Sequence, residues 1–126
     1  MQVRNAAAFT LVEVLVVMAI IATLLTLAVP RYFNSVDRSK EAVLRQNLAT
    51  LRETIDKYAG DLGRYPDSLD DLVAKKYLRG VPVDPITESP ATWLLIASPD
   101  AQKTGIADVR SGAQGRAIDG SNYADW

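Results

Sequence analysis

Apolar residues fill the first quarter of the chain almost without interruption. Residues 9–29 are dominated by Leu, Val, Ile and Ala, and Glu13 is the one charged residue among them. A helix of this length, at about 1.5 Å per residue, spans roughly 30 Å, which is the thickness of the hydrocarbon core of a bilayer. The pattern predicts a transmembrane helix. A cleaved secretory signal is the rival interpretation, but its apolar region is usually only about 7–15 residues long.

After Pro30 the apolar positions recur in steps of four and three. They are Leu44, Leu48, Leu51, Ile55 and Tyr58. This spacing puts them on one face of a helix, and charged residues occupy the other face. We therefore expect an amphipathic continuation of the helix over residues 30–59, loosened near Pro30 and stopped by Gly60 and Gly63.

The pattern over residues 60–126 changes to short elements. Asp67 or Ser68 can cap a short helix that Gly80 closes. Three strands are predicted, the first of them buried: residues 92–97, residues 106–110 and a stretch near Tyr123. The expected fold class is α+β, in which a long N-terminal helix carries a small C-terminal globular domain, residues 60–126, with a short helix and a small antiparallel sheet.

Composition narrows the chemistry that this chain can perform. Among its 126 residues there is no Cys and no His, which removes Ser–His–Asp and Cys–His catalysis and the usual zinc sites. The chain is therefore predicted not to be an enzyme. Its formal net charge is −1 and its longest basic run is Lys75–Lys76, so no nucleic-acid partner is expected.

Glu13 is the most informative residue of the apolar segment. A carboxylate inside a bilayer costs a few kcal/mol on insertion scales, so it needs a partner. If the chain were cut before Phe9, a new ammonium group would appear one helical turn away, and Glu13 could neutralise that group on its own chain or on a neighbour. The alternative is an acid near the membrane surface that the headgroups solvate.

The sequence Phe9-Thr10-Leu11-Val12-Glu13, preceded by a short segment with Arg4 and followed by Pro30, resembles the type III signal of type IV pilins and type II secretion pseudopilins. The resemblance implies that residues 1–8 are a leader, that a prepilin peptidase cuts between Ala8 and Phe9, and that the new amine of Phe9 is methylated. It also implies assembly roles for Glu13 and Pro30. The family nearly always has Gly where this chain has Ala8, so cleavage is expected to be slower.

The resemblance extends into the soluble part. Residues 58–66, the Pro82-Val83-Asp84-Pro85 segment and the final Trp126 resemble the major pseudopilin of type II secretion systems. This implies a structural subunit of a helical filament, the pseudopilus, that supports protein export. The alternatives are a type IV pilin or minor pilin for adhesion, motility or DNA uptake, and a membrane-anchored binding module that forms no filament.

The resemblance also implies partners and a location. The expected partners are further copies of the chain, minor pseudopilins, the prepilin peptidase, an inner-membrane platform protein, an assembly ATPase and membrane lipid. The expected location is the bacterial inner membrane, with one span and a periplasmic C-terminal domain. Counting charges favours the opposite orientation, since only Arg4 precedes the span while Arg31, Arg38 and Lys40 follow it. The resemblance is given more weight.

A calcium site is the remaining expectation. Major pseudopilins bind Ca²⁺ in a C-terminal loop through Asp side chains, and this chain has Gln114 where that loop often has Asp. Asp119, Ser121 and Asp125 are then the candidate ligands, with backbone carbonyls completing the shell. The alternative is a glycine-rich turn with solvated acids.

Overall fold

Helix α1 spans Leu11–Leu62 and dominates the computed structural model, which describes residues 9–126. The other elements are helix α2 (Leu69–Ala74), strands β1 (Leu94–Ala97) and β2 (Ile106–Arg110), and a 3₁₀ turn at Tyr123–Asp125. The chain divides into two compact units, one ending at Val36 and one spanning Asp37–Trp126. A long apolar helix followed by short helical and antiparallel elements confirms the α+β class.

Helix α1 continues through Pro30 without a break in the single subunit. Proline has no amide proton, so the Thr26 carbonyl lacks its usual helical donor. The loosening expected at Pro30 inside a filament stays a prediction. At the other end, Gly60 lies within the helix and does not stop it, which corrects the expectation from sequence. Gly63 follows the last helical residue with a φ of 71°, the left-handed conformation typical of the residue that ends a helix.

The predicted helical stripe forms the core of the second unit. Its five members are fully or almost fully buried: Leu44, Leu48, Leu51, Ile55 and Tyr58. Leu72 of α2, Trp93 and Val109 of β2 pack against this stripe in one hydrophobic cluster. Val43 lies beside the stripe and is half exposed, because it falls outside the spacing of four and three. The second half of α1 therefore belongs to the same compact unit as the elements that follow it.

Helix α2 begins where the sequence placed a cap. The Ser68 hydroxyl accepts a hydrogen bond from the amide of Asp71, and the Asp71 carboxylate accepts one from the amide of Asp67. The first bond satisfies an amide that the first turn of a helix leaves without a partner, and the second fixes the chain just before the cap. The helix ends at Ala74, well before Gly80, and Lys76 turns the chain with a φ of 66°.

The sheet differs from the expectation in two ways. Within residues 9–126 it has two antiparallel strands, with Leu95 opposite Val109, and the stretch near Tyr123 forms the 3₁₀ turn instead of a third strand. Strand β1 is also not buried, since Leu94 and Leu95 are about half exposed. An apolar run without alternation predicts a buried strand, but here only the Trp93 side chain before it enters the core.

Asp84 is a buried acidic side chain that ties two loops together. Its carboxyl oxygens accept hydrogen bonds from the amides of Ile86 and Thr87 and from the hydroxyl of Ser111. The Ser111 hydroxyl in turn accepts a bond from the amide of Ala113. Because buried polar groups must find partners, this one carboxyl group fixes the turn after Pro82 and the loop after β2 relative to each other.

We expect the substitution Asp84→Ala to lower the free energy of unfolding of this unit by roughly 3 kcal/mol, because it leaves several buried donors without an acceptor. Denaturant unfolding of the full chain in detergent, followed by tryptophan fluorescence, measures this change. Both tryptophans of the chain, Trp93 and Trp126, lie in the second unit and report on it alone.

The matched control is Asp56→Ala, which removes an exposed carboxylate from α1. Its effect should stay within about 0.5 kcal/mol, as is usual for surface positions. Equal stabilities for the two variants would contradict the role assigned to Asp84.

Candidate functional site

Thr10 and Glu13 form reciprocal hydrogen bonds at the start of α1. The Glu13 carboxylate accepts a bond from the amide of Thr10 at 3.1 Å, and the Thr10 hydroxyl accepts one from the amide of Glu13 at 3.1 Å. This is a capping box, in which two amides without helical partners are satisfied at once. The negative charge of Glu13 also lies at the positive end of the helix dipole.

The capping box changes how Glu13 is understood. The partner expected from sequence was the amine of Phe9, whereas the backbone amide of Thr10 is nearer and the spacing Thr-x-x-Glu could have indicated it. The bond to Thr10 holds the carboxylate one residue away from Phe9, whose side chain is exposed. Ala8 and the rest of the expected leader lie outside the described residues.

The side chains of residues 11–29 are exposed within the single subunit. Helix α1 is the one helix within residues 9–126 that is long and apolar enough to cross a membrane by length and composition. Thr23 and Thr26 donate hydrogen bonds to the carbonyls of Ala19 and Ala22, as expected for polar side chains in an apolar environment. Each hydroxyl is therefore satisfied without a partner from outside the helix.

Exposed aromatic side chains follow the apolar segment directly. Tyr32 and Phe33 make an edge-to-face contact with ring centroids 5.8 Å apart. Aromatic and basic residues are enriched where a membrane helix leaves the hydrocarbon core, and Arg31 precedes this pair. These residues mark the end of the segment that a bilayer can hold.

The candidate calcium ligands are already engaged by other groups. The Asp119 carboxylate accepts hydrogen bonds from both the amide and the hydroxyl of Ser121, at 2.9 and 2.6 Å. The Ser121 hydroxyl also accepts a bond from the indole of Trp126 at 2.8 Å. Asp125 instead accepts a longer bond, 3.4 Å, from the side chain of Asn122. Hydrogen bonds therefore link Asp119 to Ser121, while Asp125 bonds to a different residue.

These residues do not fit a Ca²⁺ ion. Calcium takes six to eight oxygen ligands, several of them from carboxylates. No group of three or more acidic, His or Cys residues suited to a metal occurs within residues 9–126. The second carboxyl oxygen of Asp119 instead lies 3.6 Å from the guanidinium group of Arg45. The hydrogen bonds from Ser121, and then the charge of Arg45, lower the pKa of Asp119.

Tyr123 anchors the same segment to α1. Its hydroxyl donates a hydrogen bond to the Glu41 carboxylate at 2.9 Å, and the same oxygen accepts a bond from the amide of Ile118 at 2.8 Å. Burial raises the pKa of Tyr123 to about 12, with further contributions from the bond to Glu41 and from the charges of Glu41, Asp37 and Asp119. The protonated hydroxyl is therefore the form that stabilises the folded unit.

Comparison with known proteins identifies a family motif and three similar proteins. The prokaryotic N-terminal methylation motif matches residues 3–29. The type II secretion system core protein G of Pseudomonas aeruginosa is 32% identical over 101 residues, covering 68% of this chain and 71% of that protein. The Aeromonas hydrophila protein of the same name is 31% identical over the same shares. The Xanthomonas campestris pathovar campestris one is 33% identical over 69 residues, covering 55% of this chain and 48% of that protein.

No solved structure matches the chain. An exposed apolar helix that coincides with a methylation motif and precedes a small α+β unit defines the type IV pilin-like class of proteins. Within that class, the chain belongs to the family of the type II secretion system core protein G, the major pseudopilins.

We expect stability to fall between about pH 10 and pH 12 in a manner that depends on Tyr123. A raised pKa means that the folded state binds the proton more tightly than the unfolded state, so the stabilisation is complete below pH 10 and is lost as the pH approaches 12. A shift of this size sets an upper limit of about 2–3 kcal/mol on the stability lost, because solvent screening weakens the effect.

The test compares denaturant unfolding of wild type and Tyr123→Phe at several pH values. The variant should be less stable at pH 8 and should lose less stability between pH 10 and 12, since the two proteins differ in no other titratable group. Parallel curves for the two proteins would refute this role for Tyr123.

Proposed function

We propose that the chain is the structural subunit of a pilus-like helical filament, the pseudopilus of a type II secretion system, and that this filament supports protein export. The observation that carries the proposal is the length of the family match. The methylation motif covers residues 3–29 and is shared by pilins and pseudopilins alike, whereas two of the core protein G relatives align over 101 residues. That alignment extends into the second unit, Asp37–Trp126, and favours secretion over adhesion, motility or DNA uptake.

The proposed processing takes place at the start of the apolar segment. A prepilin peptidase cuts between Ala8 and Phe9 and methylates the new amine of Phe9. Residues 1–8 are then a leader, residues 9–29 the membrane and filament-core helix, residues 30–59 its amphipathic continuation and residues 60–126 the globular domain. The methylation motif over residues 3–29 supports the first part of this division, the leader and the apolar helix.

The proposed assembly step is a transfer between two apolar environments. Before assembly, the subunit lies in the bacterial inner membrane with its C-terminal domain in the periplasm. The apolar helix then packs against the helices of other copies in the filament. Lipid tails are as apolar as leucine side chains, so this transfer gains little hydrophobic energy. Packing and polar contacts must therefore set the register, and Glu13 is the charged side chain available within the apolar segment.

The other components belong to separate chains. Minor pseudopilins, an inner-membrane platform protein and an assembly ATPase would act with this subunit, which itself has a structural role and no catalytic one. The family relationship supports an orientation with the C-terminal domain in the periplasm. The charges flanking the span favour the reverse orientation, and the family relationship is followed here.

Pro30 is proposed to let α1 open locally in the filament. The Thr26 carbonyl lacks a helical donor in the single subunit, so unwinding there loses one backbone bond fewer than elsewhere. We expect a density map of the filament to show non-helical backbone within residues 26–34. Continuous straight helix across these residues would contradict the proposal.

We expect the substitution Glu13→Ala to block filament assembly and to spare membrane insertion. Removing the carboxylate makes insertion easier but leaves the ammonium group of a neighbouring Phe9 unpaired. Two unit charges about 4 Å apart attract by roughly 4 kcal/mol at an effective dielectric constant of 20, before desolvation is subtracted. Membrane fractionation and shearing of filaments, followed by microscopy, measure the two steps separately.

Three further variants separate charge from helix capping. Glu13→Gln keeps an acceptor for the Thr10 amide and loses the charge, so it should fail as Glu13→Ala does. Glu13→Asp should be intermediate, and Glu53→Ala, which removes an exposed acid elsewhere on α1, should assemble normally. Normal filaments from Glu13→Gln would show that capping suffices and that the electrostatic role is wrong.

Mass spectrometry of the same samples tests the processing. Wild-type filaments and membrane-bound Glu13→Ala subunits should both contain a chain that begins at Phe9 and carries one added methyl group. Filaments built from a chain that retains Met1 would overturn the proposed cleavage site.

A further inference from the structure

Arginine side chains surround the last part of the chain, the C-terminal segment (residues 115–126). Arg45 of α1 stacks on the Trp126 ring, with its guanidinium carbon 3.7 Å from the ring centroid. Arg52 of α1 and Arg110 of β2 each donate a hydrogen bond to a carbonyl of the segment. Three permanently charged groups therefore contact a loop whose own acids are Asp119 and Asp125.

Arg52 makes the most extensive contact of the three. It donates hydrogen bonds to the Asp108 carboxylate at 2.9 Å, to the Val109 carbonyl at 3.0 Å and to the backbone oxygen of Trp126. It thus connects α1, β2 and the C-terminal segment through one side chain. The Arg52 side chain is partly buried, so these bonds are screened less by water than those of a fully exposed ion pair would be.

Several oxygen atoms that could bind a cation in this segment already accept protein hydrogen bonds. The Ala124 carbonyl accepts from Arg110, and the Ser121 carbonyl accepts from the amide of Ala117 at 2.7 Å. One carboxyl oxygen of Asp119 accepts from Ser121 and the other faces Arg45. A divalent cation would have to share these oxygens with their present donors and enter a region of positive charge.

We propose that Arg45, Arg52 and Arg110 close the C-terminal segment in place of a divalent cation, so that the folded unit does not depend on Ca²⁺. The guanidinium groups supply the positive charge and the directed donors that an ion would supply through coordination. The segment is held at Trp126 by Arg45 and Arg52, at Ala124 by Arg110 and at Tyr123 by Glu41. The consequence, filament assembly without added calcium, rests on the proposed function.

The first experiment measures calcium dependence directly. Full-length protein in detergent micelles is melted in excess CaCl₂ and in excess chelator, with tryptophan fluorescence as the signal. The two Tm values should agree within about 1 °C. A calcium site saturated at a hundred times its Kd would instead separate them by about 10 °C or more in a unit of this size.

The second experiment measures how much each arginine contributes to the Tm. Arg45→Ala should lower Tm by about 4–8 °C in both solutions, and Arg52→Ala should lower it further because more bonds are lost. Arg45→Lys should be intermediate, since lysine keeps the charge but not the planar stacking surface. Arg38→Ala is the matched control, because Arg38 is an exposed arginine of α1 seven residues before Arg45. It should melt as wild type does.

Either of two results overturns the proposal. The first is a wild-type Tm that CaCl₂ raises or chelator lowers by several degrees. The second is an Arg45→Ala protein whose Tm equals that of Arg38→Ala. Both readouts concern folding alone, so a chain that forms no filament would refute the proposed function and leave these measurements valid.

Discussion

The exposed apolar surface of residues 9–29 is the constraint on which the rest of this molecule depends. Each large apolar side chain left in water costs about 1.5 kcal/mol or more relative to its buried state. Within the single subunit these side chains are exposed, and the membrane-length window of α1 buries none of its residues. The subunit must therefore place this segment in lipid or among other helices. The same segment can occupy both environments because both are apolar.

The second half of α1 uses two neighbouring faces, one to form the core and one to hold the C-terminal segment. Leucines at steps of four and three supply the core of the unit that spans Asp37–Trp126. Beside that stripe, Glu41, Arg45 and Arg52 lie at steps of four and seven, so they share one side of the helix. Those three side chains hold the C-terminal segment through Tyr123 and Trp126. One helix thus organises both the core and the last part of the chain.

The features that follow a local period could be predicted from sequence. The membrane-length segment, the stripe from Leu44 to Tyr58 and the Ser68 cap each depend on residues within a few positions of one another. The exposure of Leu94 and Leu95 could not be predicted, because an apolar run does not reveal whether another element of the fold covers it. The contact between Arg52 and Trp126 joins residues 74 positions apart, and no spacing rule predicts such a pair. For that reason the sequence indicated Asp119 and Asp125 as cation ligands but did not predict the contacts of the arginines with the C-terminal segment.

The capping box at Thr10 supports a role for Glu13 in docking. An ionised carboxylate has two oxygens with about four acceptor positions, and the Thr10 amide occupies one of them. A neighbouring ammonium group can therefore bind while the cap remains intact. The bond to Thr10 restricts the long Glu13 side chain to one orientation at the end of the helix, and fixing such a side chain in advance reduces the entropy lost on binding. In the proposed filament, the register of two apolar helices, which hydrophobic energy cannot select, is then set by a charge that the helix itself holds in place.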